Sequence, residues 1–228
     1  MKGKIVYALL FVLISLNSSL SAQTGVRFGL KGGYSMSTQY GINDPNLPYT
    51  VDTHVRHGIA GGVLVYFPIT ESFGVQQEFL YVTKGSSEDI AMTTLPVKTH
   101  TEYKLNYFEM PLVFRYTFVK LGNVGIYGSS GFALSILLNG ESKLDGTVDV
   151  GGGNLIPFSE STNLEGVDIF DYGLLYGAGL DFKLFNKDCF FDYRFNIGWN
   201  TLMMPTSTGQ APAPLRNQDY TFTLGIYL

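Results

Sequence analysis

Leu121-Gly-Asn-Val-Gly-Ile-Tyr-Gly-Ser-Ser-Gly-Phe-Ala-Leu-Ser-Ile-Leu-Leu-Asn-Gly140 is twenty residues without a charge. That is long enough to resemble a membrane-spanning helix, which takes ~20 apolar residues. The stretch contains five Gly and three Ser, however, and its bulky residues alternate with small ones. Val124, Ile126, Phe132, Leu134, Ile136 and Leu138 share one parity, and Gly125, Ser129, Gly131, Ala133 and Ser135 share the other. A period of two is the signature of a strand.

The same alternation recurs along the chain. It predicts eight strands at about Gly25–Ser37, Val55–Phe67, Phe73–Lys84, Tyr103–Phe118, Val124–Leu138, Ile169–Leu184, Phe190–Leu202 and Asp219–Leu228. Each has ten residues or more, whereas a tilted membrane strand needs ~9–11 and ordinary strands average ~5–6. Connections alternate in length. Pro68–Ser72, Val119–Asn123 and Phe185–Cys189 are short; Thr38–His54, Gly85–Glu102, Asn139–Asp168 and Met203–Gln218 are long. Outer-membrane barrels have this rhythm, with short periplasmic turns, long outer loops and an even strand number.

Which parity is oily decides the solvent. One side carries Phe28, Leu30 and Tyr34; Ile59, Val63 and Val65; Phe79 and Tyr81; Phe108, Leu112 and Phe114. It continues with Leu174, Tyr176 and Leu180, then Tyr193, Phe195 and Trp199, then Phe222, Leu224 and Ile226. Gln77 is an uncharged intruder on that side and Lys104 a charged one at a strand end. The opposite parity carries Arg27, Lys31, Arg56, Glu78, Lys84, Glu109, Arg115, Asp171, Asp181, Lys183, Asp192, Arg194 and Asp219, spaced by glycines. A water-soluble barrel wants the reverse. With lipid outside, unpaired N–H and C=O groups each cost several kcal/mol, so the sheet must close. The expected fold is all-β: an eight-stranded antiparallel transmembrane barrel in up-and-down order, with aromatic girdles at both interfaces.

Targeting and composition agree. Lys2 and Lys4, the apolar run Ile5–Leu16 and the small residues up to Ala22 predict a signal peptide over 1–22, leaving one barrel domain over 23–228. Losing Lys2 and Lys4 takes the formal charge from −4 to about −6. No basic stripe is present, which argues against a nucleic-acid partner. Cys189 is the single cysteine, so no intramolecular disulfide is available. The expected partners are outer-membrane lipid and envelope or secretion proteins meeting the loops or rim.

Phe28-Gly-Leu-Lys-Gly-Gly-Tyr34, Gln77-Glu-Phe-Leu-Tyr-Val-Thr-Lys-Gly85, Tyr107-Phe-Glu-Met-Pro-Leu112, Tyr176-Gly-Ala-Gly-Leu180 and Asp192-Tyr-Arg-Phe-Asn196 together resemble the PorT-like outer-membrane β-barrel family of Bacteroidetes. The resemblance spans essentially the whole mature chain. It implies an eight-stranded barrel with periplasmic termini, and for the family's name-giving member a link to type IX secretion. The usual final aromatic is replaced by Leu228. The likeness places Pro111 inside the fourth strand, where a proline removes a ladder hydrogen bond, and predicts a bulge there.

An eight-stranded interior is just wide enough for side chains to fill. The inward charges therefore predict a structural network of ion pairs rather than a pore, centred on Glu78, Glu109, Arg115, Asp181, Asp192 and Arg194. His54, His57 and His100 fall near outer loop ends, with Ser86, Ser87 and Glu88 in the second loop, one loop from His57. A lipid-modifying enzyme would need such groups in contact, but no spacing selects a nucleophile. Gly151–Asn154 does not lie between a strand and a helix as phosphate loops do, and the acidic third loop matches no Ca²⁺ cage. No cofactor or metal is expected. Cys189, in a predicted turn, reads as an inert thiol.

Overall fold

The structure is a computed structural model and describes residues 25–40, 49–92, 97–151, 154–164, 168–200, 202–204 and 213–228. The expected signal peptide, 1–22, lies outside them. The strands are β1 (Arg27–Tyr40), β2 (Tyr49–Pro68), β3 (Phe73–Met92), β4 (Val97–Leu121), β5 (Val124–Asp149), β6 (Leu155–Asn163), β7 (Phe170–Leu184), β8 (Lys187–Gly198), β9 (Leu202–Met204) and β10 (Ala213–Tyr227). The ring runs β1-β2-β3-β4-β5-β7-β8-β10, all antiparallel, and closes β10 on β1 through pairs such as Leu30↔Ile226 and Tyr34↔Phe222. β6 pairs with β5 and β9 with β10, both on the long-loop side.

Closure fixes which parity meets which solvent. Phe28 (60%), Ile59 (61%) and Phe132 (53%) are exposed, whereas Glu78 (0%) and Asp192 (1%) are buried. The oily side of every ring strand faces out and the ionic side faces in. Between Phe118 and Phe108, ten residues of β4 at ~3.3 Å each, tilted by ~40°, rise about 25 Å, the height of an outer-membrane apolar band. Tyr34, Tyr81, Phe108, Tyr172, Trp199 and Tyr220 mark its upper rim.

Three inward glycines make room for the aromatic rings that fill the lower lumen. A Cβ at Gly179 would strike the Tyr127 ring, one at Gly225 the Phe190 ring and one at Gly74 the Tyr66 ring. Tyr127 faces Gly179 directly across β5–β7, and Phe190 faces Gly225 across β8–β10. An aromatic laid over a neighbouring strand's glycine covers backbone that has no side chain of its own.

Three expectations change. The loops Gly85–Glu102 and Asn139–Asp168 are largely strand: β3, β4 and β5 run on together past the girdle, β2 continues beside them from Tyr49, and β6 adds a fifth strand. Beyond Phe108, β4 adds on the order of 30 Å of strand. Second, the predicted turn Phe185–Cys189 shrinks to Phe185-Asn186, both left-handed (φ 48° and 62°) as a two-residue hairpin turn requires. Cys189 therefore lies within β8, paired with Phe182 and Ile226.

Third, Pro111 makes no bulge. The β3–β4 register is the same at Gln77↔Leu112 and Leu80↔Glu109, and only the pairs between are interrupted. Gln77 Nε2 instead donates to the carbonyls of Glu78 (3.1 Å) and Pro111 (3.2 Å). The polar intruder on the oily face thus replaces the N–H that proline lacks. The irregularities of β4 fall instead at Asn106/Tyr107 and Thr117/Val119 against β5.

Candidate functional site

The lumen is filled in tiers. At the short-turn mouth, Arg115 donates through Nη1 to Gln76 (3.0 Å) and the Tyr227 hydroxyl, and through Nη2 to Asp181 (2.7 Å). Its guanidinium lies 3.6 Å from the Tyr127 ring centroid, a stacking geometry that suits a weakly hydrated planar cation. Asp181 is partly open to a vestibule of about 220 Å³ lined also by Arg27, Lys120 and Asp188.

The middle tier is a closed ionic knot. Arg194 grips Glu78 with two bonds of 2.8 Å and also contacts Asp192. Lys31 Nζ reaches Asp192 at 2.9 Å and Glu78 at 3.4 Å. Tyr127 donates to the other Asp192 oxygen at 2.9 Å, and Gln76 donates to Glu78. Two cations and two carboxylates cancel, which is how ionised groups survive burial.

Above them, Lys84 bridges Glu109 (2.7 Å) and Asp219 (2.9 Å), while Ser135 donates to Glu109 and Asn217 to Asp171. Between the two upper tiers lies a cavity of about 20 Å³, room for one water. Among the described residues, Arg194 Nε, Asn196 Oδ1 and Thr223 Oγ1 have no hydrogen-bond partner, and all three residues line it. Asp219 also lines it, with its Oδ1 2.9 Å from Lys84 Nζ.

Of the six residues singled out for the network, the structure brings Glu78, Asp192 and Arg194 into one knot. Arg115 and Asp181 sit at the mouth, and Glu109 in the upper tier. Lys31, Lys84 and Asp219, equally central, had only their parity to mark them. Parity says that a side chain points inward; its height along the axis depends on strand stagger.

The second candidate is the sheet of β2 to β6 that projects past the girdle. On its outward face, Asp89 accepts from His54 (Nε2, 3.0 Å) and from His100 (Nδ1, 2.7 Å). The His100 hydrogen bond is the main reason the Asp89 carboxyl lies below the usual carboxylate range, with His54 adding to it. On the inward face Ser86, Thr101 and Leu105 are buried. Burial raises the Glu88 carboxyl and pushes the Tyr103 phenol up to about 12, the Glu88 carboxylate adding to the latter.

The groups considered for catalysis do not meet. His57 stacks on and bonds with Tyr34 at the girdle, and Ser86 Oγ is held by Gln39. Among the described residues no Ser or Thr hydroxyl bonds to a histidine, and no His, Cys, Asp and Glu group could hold a metal. Gly151 and Asn154 turn the chain between β5 and β6, with Val150 N donating to Asn154 O at 3.0 Å.

Residues 19–203 match the family model described as outer membrane protein beta-barrel domain. No curated protein matches the sequence. Among solved structures, the chain is similar to the outer membrane protein OprG of Pseudomonas aeruginosa, with 9% identity, 90% of this chain and 97% of that one covered, and a TM-score of 0.49. It is also similar to Neisserial surface protein A (14%, 90% and 100%, 0.45) and to Ail, the attachment invasion locus protein of Yersinia pestis (14%, 90% and 100%, 0.37). The family model spans most of the chain, and the antiparallel ring with its oily exterior is the architecture that its description names. This chain belongs to the outer membrane protein β-barrel domain family and resides in the outer membrane.

Proposed function

We propose that this chain is a non-enzymatic envelope barrel whose filled lumen is a structural spine and whose projecting sheet binds another envelope or surface component. The observation that carries this is the continuation of β2–β5 past the aromatic girdle, with β6 added at the side. Those strand segments lie beyond the lipid band, and closing the ring does not require them. Rigid scaffolds carry binding function on such protrusions. In this reading residues 1–22 are removed on export, and the termini and short turns face the periplasm. The motifs Phe28–Tyr34 to Asp192–Asn196 make the chain PorT-like, so a periplasmic or surface secretion component is one partner class. In this reading the tiers fill the lumen, with the small cavity between them lined by Lys31, Arg194 and Asp219.

Photo-crosslinkers placed in cells at Lys98 and Glu160 on the sheet, and at Thr70 and Asn186 on the short turns, test the binding role. Protein adducts from the sheet positions support it. Adducts from the short turns alone, or none, overturn it. Steady current through the purified barrel in a planar bilayer would overturn the filled lumen.

A further inference from the structure

We infer that the free edge of β6 is a strand-addition site for an extended segment of another protein with the pattern basic–x–apolar–x–apolar. This deepens the proposed binding role of the projecting sheet and rests on it. β6 is paired on one side only, from Glu141↔Asn163 to Asp149↔Leu155. All nine of its residues are exposed, and no described strand pairs with its other side. An edge of that kind presents a row of N–H and C=O groups ready to template another strand.

The contrast with the other edge of the same sheet is informative. Proteins blunt exposed edges with charges (Lys above all), prolines and bulges. The upper part of β2 carries Asp52, His54 and Arg56 and a register shift between Val55 and Ala60. β6 has no cation, and Pro157 is its single strand-breaking residue. It displays Leu155 (61%), Ile156 (54%) and Phe158 (37%), which is the profile of an edge kept open.

The side chains set the partner's chemistry. Ile156, Phe158 and Glu160 share one face by alternation. Glu160 faces Leu144 across the ladder, and no cation pairs with it among the described residues. An antiparallel segment laid along the edge meets Glu160 first, then Phe158, then Ile156. Cross-strand pairing then favours Lys or Arg, followed at alternate positions by two apolar residues. A second copy in the same membrane does not fit. Its β6 would run in the same sense, and in-register pairing would set Glu160 against Glu160.

The test uses the purified full barrel in nanodiscs and a labelled peptide, Thr-Arg-Thr-Val-Thr-Val-Thr. Tight binding is expected, weakened about 3–10-fold when the peptide's Arg is replaced by Glu. Glu160→Lys should reverse that preference. N-methylation of alternate peptide nitrogens should abolish binding in one phase and spare it in the other. No binding, equal binding of both charge forms, or indifference to both methylation phases would overturn the inference. Concentration-dependent dimers of the wild-type barrel that block peptide binding would overturn it in favour of self-association. If peptides fail while crosslinks from Lys98 persist, the edge is wrong but the sheet still binds; if both fail, the binding role falls as well.

Discussion

Replacing Arg194 with Met tests whether the ionic knot holds the barrel together. In the folded protein Lys31 and Arg194 balance Glu78 and Asp192, all of them buried. Arg194→Met removes both 2.8 Å bonds to Glu78. It leaves one ammonium, 2.9 Å from Asp192 and 3.4 Å from Glu78, facing two carboxylates. Orphaning a buried ion costs about 3–5 kcal/mol, so the folding equilibrium should fall about 10²–10⁴-fold. Arg194→Met/Glu78→Met restores neutrality with apolar volume and should recover most of that loss, since Lys31 still pairs with Asp192. Guanidinium unfolding in lipid vesicles, followed through the single Trp199 at the lipid-facing rim, measures both. A loss below about 1 kcal/mol for the single variant, or a double variant as unstable as the single, would refute the reasoning.

Gln77→Leu should destabilise by about 1–3 kcal/mol by orphaning carbonyls beside Pro111; Gln77→Leu/Pro111→Ala should regain it, and the same unfolding titration reads both. Gly179→Ala drives a methyl into the Tyr127 ring and should cost about 1–3 kcal/mol, seen as loss of the heat-resistant folded band on gels. The depressed Asp89 carboxyl gives the projecting sheet a pH dependence. A carboxyl whose folded pKa lies below its unfolded value stabilises above the unfolded value and loses that contribution as pH falls through the folded one. Protection of the amides in the upper parts of β3 and β4, taken relative to intrinsic exchange at each pH, should therefore fall in acid below the ordinary Asp range, and Asp89→Asn should remove that acid-side change.

The ring was legible because lipid imposes one rule on every strand that crosses it. Phe28 to Met36 and Tyr220 to Leu228 show it as plainly as the stretch from Val124 to Leu138. Past the girdle that rule lapses. Thr99, Thr101, Glu102 and Ser142, Lys143 carry no oily alternation, because both faces of the projecting sheet meet water or polar chain, so strand there read as loop. Cys189 reads as a turn residue in the sequence because a two-residue left-handed turn led by Phe185 has none of the usual Asn-Gly signal. Gln77 looked like an exception and is instead the complement of Pro111, a relation visible only once the register sets β3 against β4. The lumen charges were identifiable by parity, whereas the partners of Lys31 and Lys84 come from strands 47 to 161 positions away or beside them, which only the closed stagger brings together.

Spin labels walked one at a time through Phe132, Ala133, Leu134, Ser135 and Ile136 in the reconstituted barrel test the central claim most directly. Collision rates with oxygen, which concentrates in lipid, should be high at Phe132, Leu134 and Ile136 and low at Ala133 and Ser135. Reversed phase, or no two-residue period at all, would contradict a chain that turns its oily side to the bilayer and its charges to the lumen.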